Sequence, residues 1–462
     1  MAIAVILARR LGPKSFGLFV FVQWLIEMTF LVYSVGLTGV ATRFFPQSAG
    51  DEAGRFPGFN QWFLRAALLA GLLTSGFAAL AALFFSGLGK SAPIAAVTFW
   101  AASYSLWALL GARAQGLFQF KRFAVSSLIF VCVAIAGLAL PSVGGDFLGA
   151  MLIVAAANLA AAVCCATDLF SSWPKSSVET LAKPHSELIR LYATNAWLTT
   201  IVASLVWGRG EISLVKGHLG DSGVGYYSVG LTLSGLVNQG MGLLTGALWP
   251  QIARAWDTGQ RDDLLRFSSL VTALLMLIAG ISAGFVICFA PNIVVLLFGE
   301  KFLPSSRLAM ILALGALGLA SGCANLVVQA ATNGKFARDV TTVGGIALFG
   351  AAFVLIPYFG MEGAALARST VQIATAVLTF LWIRKVLGGH AGTDKNLQSF
   401  VLLVTLAGSL AALLSATRPQ FHIWSLCALF SLYCGLVYAI CSRGWDTGIL
   451  RELRKLSEFS NA

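Results

Sequence analysis

The nine residues LGPKSFGLF, Leu11–Phe19, follow a short apolar lead at residues 1–10, and LGDSGVGYY, Leu219–Tyr227, reads as a second copy of the same junction. In each copy a glycine followed by Pro13 or Asp221 ends one helix and turns the chain. A second glycine, Gly17 or Gly225, then opens the next helix, where a small residue permits close backbone approach. Gly12 and Gly220 are 208 residues apart. A looser correspondence, QGLFQFKRFAV at 115–125 with QAATNGKFARD at 329–339, again leaves one long apolar helix and enters another. A junction written twice in the same direction predicts two lobes of one ancestry, related by an axis along the membrane normal.

The chain around these junctions is 58% apolar and 11% charged over 462 residues, which excludes a water-soluble globule with one core. Apolar runs long enough to cross about 30 Å of hydrocarbon recur throughout. Thirteen are read, at 16–40, 62–86, 93–115, 123–141, 147–170, 190–215, 225–249, 267–290, 306–330, 340–358, 363–386, 398–416 and 423–442, with residues 1–10 as a fragment. The fold class is therefore an all-α polytopic membrane protein of two six-helix lobes plus two C-terminal helices. The N-terminal lobe is placed at 1–175, the C-terminal lobe at 176–388, and the last two helices with a basic amphipathic tail at 389–462. The helix before the second junction begins near Arg190. By the repeat offset its counterpart would begin about twenty residues before Met1, and ten residues cannot cross a bilayer. The first helix is expected to be largely missing, through a shortened chain or a start codon placed too late.

The formal charge of +12 is spread over helix ends, so it reads as topology rather than as a nucleic-acid surface. Breaks carrying Arg43, Arg55 and Arg65, then Arg113, Lys121 and Arg122, then Lys175, Lys183 and Arg190 alternate with poorer ones and are assigned to the cytoplasm. The break with Arg9, Arg10 and Lys14 runs against that bias. Eight cysteines, including Cys164 and Cys165, lie in or beside apolar stretches without metal-ligand spacing, and His185, His218, His390 and His422 are scattered, so no metal site is read. No GxxxxGK is present, so the chain has no ATP-binding loop of that type. The N-terminus lacks the basic lead and cleavage site of a signal peptide.

The order of motifs Arg9–Gly17, Gly225–Ser228, Leu248–Gln251, Leu297–Phe302 and Tyr358–Ala365 resembles the polysaccharide transporters (Wzx-type flippases) of the multidrug/oligosaccharidyl-lipid/polysaccharide exporter superfamily. The likeness covers most of the chain, and spacing carries it more than any single motif. It implies a two-lobed helical carrier with a central cavity in the bacterial inner membrane, moving undecaprenyl-pyrophosphate-linked sugar repeat units. It further implies a lipid-linked oligosaccharide and membrane lipids as partners, with a polysaccharide polymerase and glycosyltransferases in the same pathway. The missing first helix lines the cavity in such relatives, which puts the activity of the printed chain in question.

The residues themselves nominate a site. In the span 16–40, Gln23, Glu27, Ser34 and Thr38 fall on one stripe at 100° per residue in an otherwise apolar helix. The span 225–249 carries Ser228, Thr232, Gly235, Gln239, Gly242 and Thr245 on the corresponding face. Two such seams read as a wet cleft, or as small residues that let helices pack closely. A carboxylate in mid-span costs about 2.5–3.5 kcal/mol on insertion scales, so Glu27 is expected to avoid lipid. It serves either a cavity with H+ or Na+ coupling or a structural hydrogen bond. Arg209 and Lys216, seven apart, are expected to share a face suited to an anionic headgroup, with Glu211 neutralising one of them; interfacial anchoring is the plainer reading. Glu211 aligns with Ile3, so that charge belongs to one lobe. Arg43, Arg65 and Arg254 sit where a pyrophosphate would be met first, although the positive-inside rule accounts for them too. Arg368 is a further cavity cation or a helix-end charge.

No cofactor is expected. A flippase of lipid-linked oligosaccharide working by alternating access fits a cationic cavity without reaction chemistry. A MATE-like multidrug or cation antiporter, or a flippase of a peptidoglycan precursor such as lipid II, is the alternative. The two extra helices and the surplus of arginine weigh against drug extrusion. An enzyme ranks last, because the outer loops are short.

Overall fold

A computed structural model of the chain describes residues 1–49, 59–84, 94–140, 146–171, 183–259, 261–332, 335–386, 391–417 and 422–442. The regular structure among them is helical, without a strand. The tail beyond Ser442, and Arg55 and Lys175 of the charge count, lie outside the described residues.

In chain order the helices are α1 (Ala2–Tyr33), α2 (Leu37–Ala49), α3 (Phe59–Phe84), α4 (Ile94–Gly116), α5 (Phe120–Ala139), α6 (Phe147–Ser171) and α7 (Lys183–Ala203). A π-helical turn, Ser204–Arg209, follows. Then come α8 (Ile212–Asp257), α9 (Arg261–Phe298), α10 (Ser305–Ala316), α11 (Gly322–Thr332), α12 (Lys335–Val386), α13 (Ala391–Thr417) and α14 (Ile423–Ser442). Ten helical segments among the described residues are long and apolar enough to cross a membrane. The longest of these, 51 residues, is two spans joined at Gly360, and the expected span 225–249 lies within α8. Large apolar side chains such as Leu72, 71% exposed, and Ile346, 73% exposed, stand on the outside of these helices. In water such a surface would aggregate; in a bilayer it is the lipid face. The chain is a multi-pass membrane protein.

The two junction glycines adopt one conformation. Gly12 has φ 71° and ψ 174°, and Gly220 has φ 68° and ψ −166°. Both lie in the left-handed region that side-chain-bearing residues avoid, so the glycines of the repeated motif are there for backbone reasons. Gly360, φ 59°, breaks α12 in the same way.

Two breaks depart from the sequence expectation. The span 16–40 is not one helix: α1 ends at Tyr33, and Val35 (φ 43°) and Gly36 (φ 73°) turn the chain into α2. The span 190–215 is interrupted by the π-helical turn, by non-helical Gly208 and by a turn at Gly210 and Glu211. Such interruptions inside the membrane need partners for the freed backbone groups. At the first break the Trp197 indole N–H donates to the carbonyls of Leu31 and Val32, at 2.9 and 3.0 Å. Trp197→Phe keeps the ring bulk and removes that donor. It is expected to cost about 1 kcal/mol, the net worth of a hydrogen bond, read as a lowered thermal midpoint of the purified protein. An unchanged midpoint would show that these carbonyls are satisfied without the indole.

The described chain packs as two compact units, Met1–Ser213 and Leu214–Ala462. In the first, Phe44, Phe45, Phe59 and Phe63 form an aromatic core that also takes in Ile189 and Ala193 of α7. The helix that the sequence reading places at the start of the C-terminal lobe thus packs with the first unit. Arg10 donates from both terminal nitrogens, at 2.8 Å each, to the carbonyls of Ala139 and Leu140, capping the end of α5. That gives one cation of the discordant break a structural use.

The second unit is built on α9. Gly280 faces Val437 and Leu403, and Gly284 faces the Tyr433 ring, so the small residues seat α13 and α14. Asn396 fixes α13 through its Nδ2, which donates to the Ser269 carbonyl (2.9 Å) and hydroxyl (3.0 Å). On α10, Ile311 accepts from the Ser369 hydroxyl at 2.7 Å. Packing of small residues and interhelical hydrogen bonds is how helices associate where lipid removes the hydrophobic drive.

Candidate functional site

The first unit contains a cavity of about 490 Å³, built from α1, the start of α2, α4 and the π-helical turn. From α1 come Gln23, Trp24, Glu27 and Leu31, successive residues of one helical face. The break at 34–36 brings Thr38 of α2 to the same space. Tyr104 and Ala108 of α4 supply another wall, and Ser204, Gly208 and Arg209 close it from the π-helical turn. Wide turns of this kind recur at functional sites because they re-aim side chains that a regular helix would send elsewhere.

Glu27 is the acid of the site. Gln23 Nε2 donates to its Oε1 at 2.8 Å across one helical turn, which fixes the carboxylate toward the cavity. Arg209 and Tyr104 line the same space. Among the described residues, no ion pair within 4 Å joins Glu27 to Arg209. The cavity is therefore lined by one acidic and one basic side chain. The aromatic rings of Trp24, Phe30 and Tyr104 give it flat apolar walls.

Of the residues nominated from sequence, Gln23, Glu27, Thr38 and Arg209 meet here. Ser34 does not line the cavity: it is buried in the break, and its hydroxyl turns back on the Leu31 carbonyl at 3.4 Å. The spacing argument that placed Arg209 and Lys216 on one face required a continuous helix, and the turn at Gly210 and Glu211 breaks it. Lys216 instead pairs with Asp221 across the Gly220 junction, and Glu211 is fully buried. Arg43 is exposed with its guanidinium 4.3 Å from the Tyr192 ring centroid, a cation–π contact, and Arg65 is exposed on α3. In the second unit, the Thr232 hydroxyl donates to the Ser228 carbonyl one turn back, and Arg368 is buried. The side chains of Gln239 and Arg254 lie outside the described residues.

Trp24, Tyr104 and Ser204 were not singled out from sequence. Tyr104 carried a usable signal: with Ser103 and Ser105 it makes a polar triplet in the middle of the apolar span 93–115. No pattern marked Ser204, which reaches the cavity only because the helix widens there.

No family model matches the chain, and no curated protein does. Solved structures do. The inward-facing form of a multidrug resistance MATE family transporter of the MOP superfamily superposes with a TM-score of 0.64 at 14% identity, covering 83% of this chain and 93% of its own. The lipid II flippase MurJ, in an inward closed conformation, gives 0.61 at 15% identity, with 98% of this chain and 96% of its own covered. A MOP superfamily transporter from Pyrococcus furiosus, described as having a binding pocket of reversed polarity, gives 0.58 at 14% identity over 83% and 90%. The fold is that of the MOP superfamily transporters. This agrees with the all-helical, two-lobed architecture expected from the sequence.

Proposed function

We propose that the chain is a membrane transporter without enzymatic chemistry, and that it moves the head of a lipid-linked oligosaccharide across a bacterial inner membrane by alternating access. The observation that carries this reading is the cavity itself, where Glu27 of a membrane-spanning helix and Arg209 of the π-helical turn line one space of about 490 Å³. Ionisable groups held within spanning segments mark substrate and ion pathways, because their desolvation has to be repaid by use. Aromatic walls beside polar groups suit a pyranose, whose apolar faces stack while its hydroxyls bond. Nothing among the described residues makes a cluster able to hold a metal ion.

The polysaccharide reading is favoured over drug extrusion by extent. The structural match to the lipid II flippase covers 98% of the chain, too much to omit α13 or α14, which have 27 and 20 residues. The matches to MATE transporters cover less. An undecaprenyl-pyrophosphate carrier, coupling to H+ or Na+ at Glu27, and supply by glycosyltransferases with consumption by a polymerase belong to the same proposal. So do repeat boundaries at 1–175 and 176–388 with 389–462 appended.

The test is translocation in vesicles. Purified chain is reconstituted with a fluorescent polyprenyl-diphosphate oligosaccharide, and loss of the inner-leaflet label to a membrane-impermeant glycosidase is followed. Label should become accessible faster than in protein-free vesicles, while efflux of a cationic dye is unchanged. Dye efflux without sugar translocation would support the antiporter reading and overturn this one.

A further inference from the structure

The charges in the cavity constrain its ligand more narrowly than a transport role does. A purely anionic head entering this space would gain Arg209 and be repelled by Glu27; a purely cationic one would gain Glu27 and be repelled by Arg209. Against apolar walls like-charge contact is costly, whereas a ligand carrying both signs can meet each group at once. Among the described residues, no ion pair within 4 Å joins the two, and the cavity they both line, about 490 Å³, suits a small polar head. Gln23 Nε2 donates to Oε1 of Glu27, which leaves the carboxylate further acceptor capacity for a ligand in the cavity they both line. The π-helical turn puts Arg209, a planar donor fork, on a separate element.

Resting on the transport reading above, we infer that the cavity takes a zwitterionic head, which presents an ammonium to Glu27 and a phosphate to Arg209 while a flat ring or chain lies against Tyr104 and Trp24. An amino sugar phosphate and a phosphoethanolamine headgroup share this chemistry. The charge pattern differs from that of a simple anion site or a simple cation site, so it predicts a selectivity that neither would show.

Calorimetric titration of the purified full chain in detergent tests it with three probes: glucosamine 1-phosphate, glycerophosphoethanolamine and glucose 1-phosphate. The ammonium-bearing probe that fits is expected to bind at least about tenfold tighter than glucose 1-phosphate, the gain of one hydrogen bond between charged groups. Glu27→Gln should abolish that preference without weakening glucose 1-phosphate, and Arg209→Gln should weaken every phosphate. Preference for glucosamine 1-phosphate assigns the head to a sugar; preference for glycerophosphoethanolamine alone assigns it to a phospholipid, and either supports the inference. Equal binding of glucosamine and glucose 1-phosphates with no gain for glycerophosphoethanolamine overturns it, as does a preference that survives Glu27→Gln or an absence of binding to all three. Matching thermal midpoints of variant and parent exclude misfolding as the cause. Translocation of a neutral lipid-linked oligosaccharide without ammonium selectivity would sink this inference and leave the transport reading standing. Zwitterion binding without translocation would do the reverse.

Discussion

Glu27→Gln is expected to lower the rate of translocation by about ten- to a hundredfold, the loss of one interaction made by a charged group, while leaving the protein as stable as its parent or more so. The sign on stability follows from burial. A carboxylate within a spanning helix carries an insertion cost of about 2.5–3.5 kcal/mol, and an amide of the same shape, being uncharged, costs less to bury. The Gln23 contact to Oε1 (2.8 Å) survives, because the amide oxygen accepts as the carboxylate does. A structural carboxylate would behave in the opposite way: losing it would unsettle the fold and slow transport only in proportion. Translocation rate and thermal midpoint measured on the same preparation separate the two. Full transport by the variant would remove Glu27 from the mechanism, and with it the acid half of the site.

That acid was legible in the sequence because it stood four residues from Gln23 in a run with no other charge, a pattern that one helical turn turns into a contact. The spans were legible for a similar reason, since a stretch of about 20 apolar residues leaves a chain few alternatives in lipid. The repeated junction was legible through its glycines, which only a left-handed backbone requires. The breaks inside the spans were not. VYSVGLTG, Val32–Gly39, has no proline, and although Gly36 is a poor helix former, a lone glycine in an apolar span is also tolerated inside a helix, so the sequence does not decide for a stop at Tyr33. The interruption is held by Trp197, more than 160 residues away, whose indole takes the carbonyls the break releases. A long-range partner of this sort is invisible to periodicity. The same blindness misplaced Arg209: seven-residue spacing paired it with Lys216, whereas a widened turn aims it at Glu27's cavity and leaves Lys216 to Asp221.

The break also yields the largest expected loss of stability. Gly36 combines two demands, a φ of +73° and a contact so close that an added Cβ would fall well inside van der Waals contact with the Ala193 carbonyl oxygen, with the Trp197 amide nitrogen next, at 3.1 Å. Both neighbours are backbone of α7, which cannot swing aside as a side chain can. Gly36→Ala is therefore charged twice, about 1–2 kcal/mol for the left-handed conformation and roughly 1–3 kcal/mol for overpacking. Because α7 leads into the turn that carries Arg209, the displacement should reach the cavity as well as the fold. Gly12→Ala is the matched control: its φ is +71°, and nothing lies within 4 Å of the added carbon, so only the conformational cost applies. Thermal midpoints of the purified variants should fall in the order parent, Gly12→Ala, Gly36→Ala, with the last also losing recovery of monodisperse protein. Equal midpoints for the two variants would mean that α7 does not press on Gly36 in the membrane, and the tight seat that positions Arg209 would have to be abandoned.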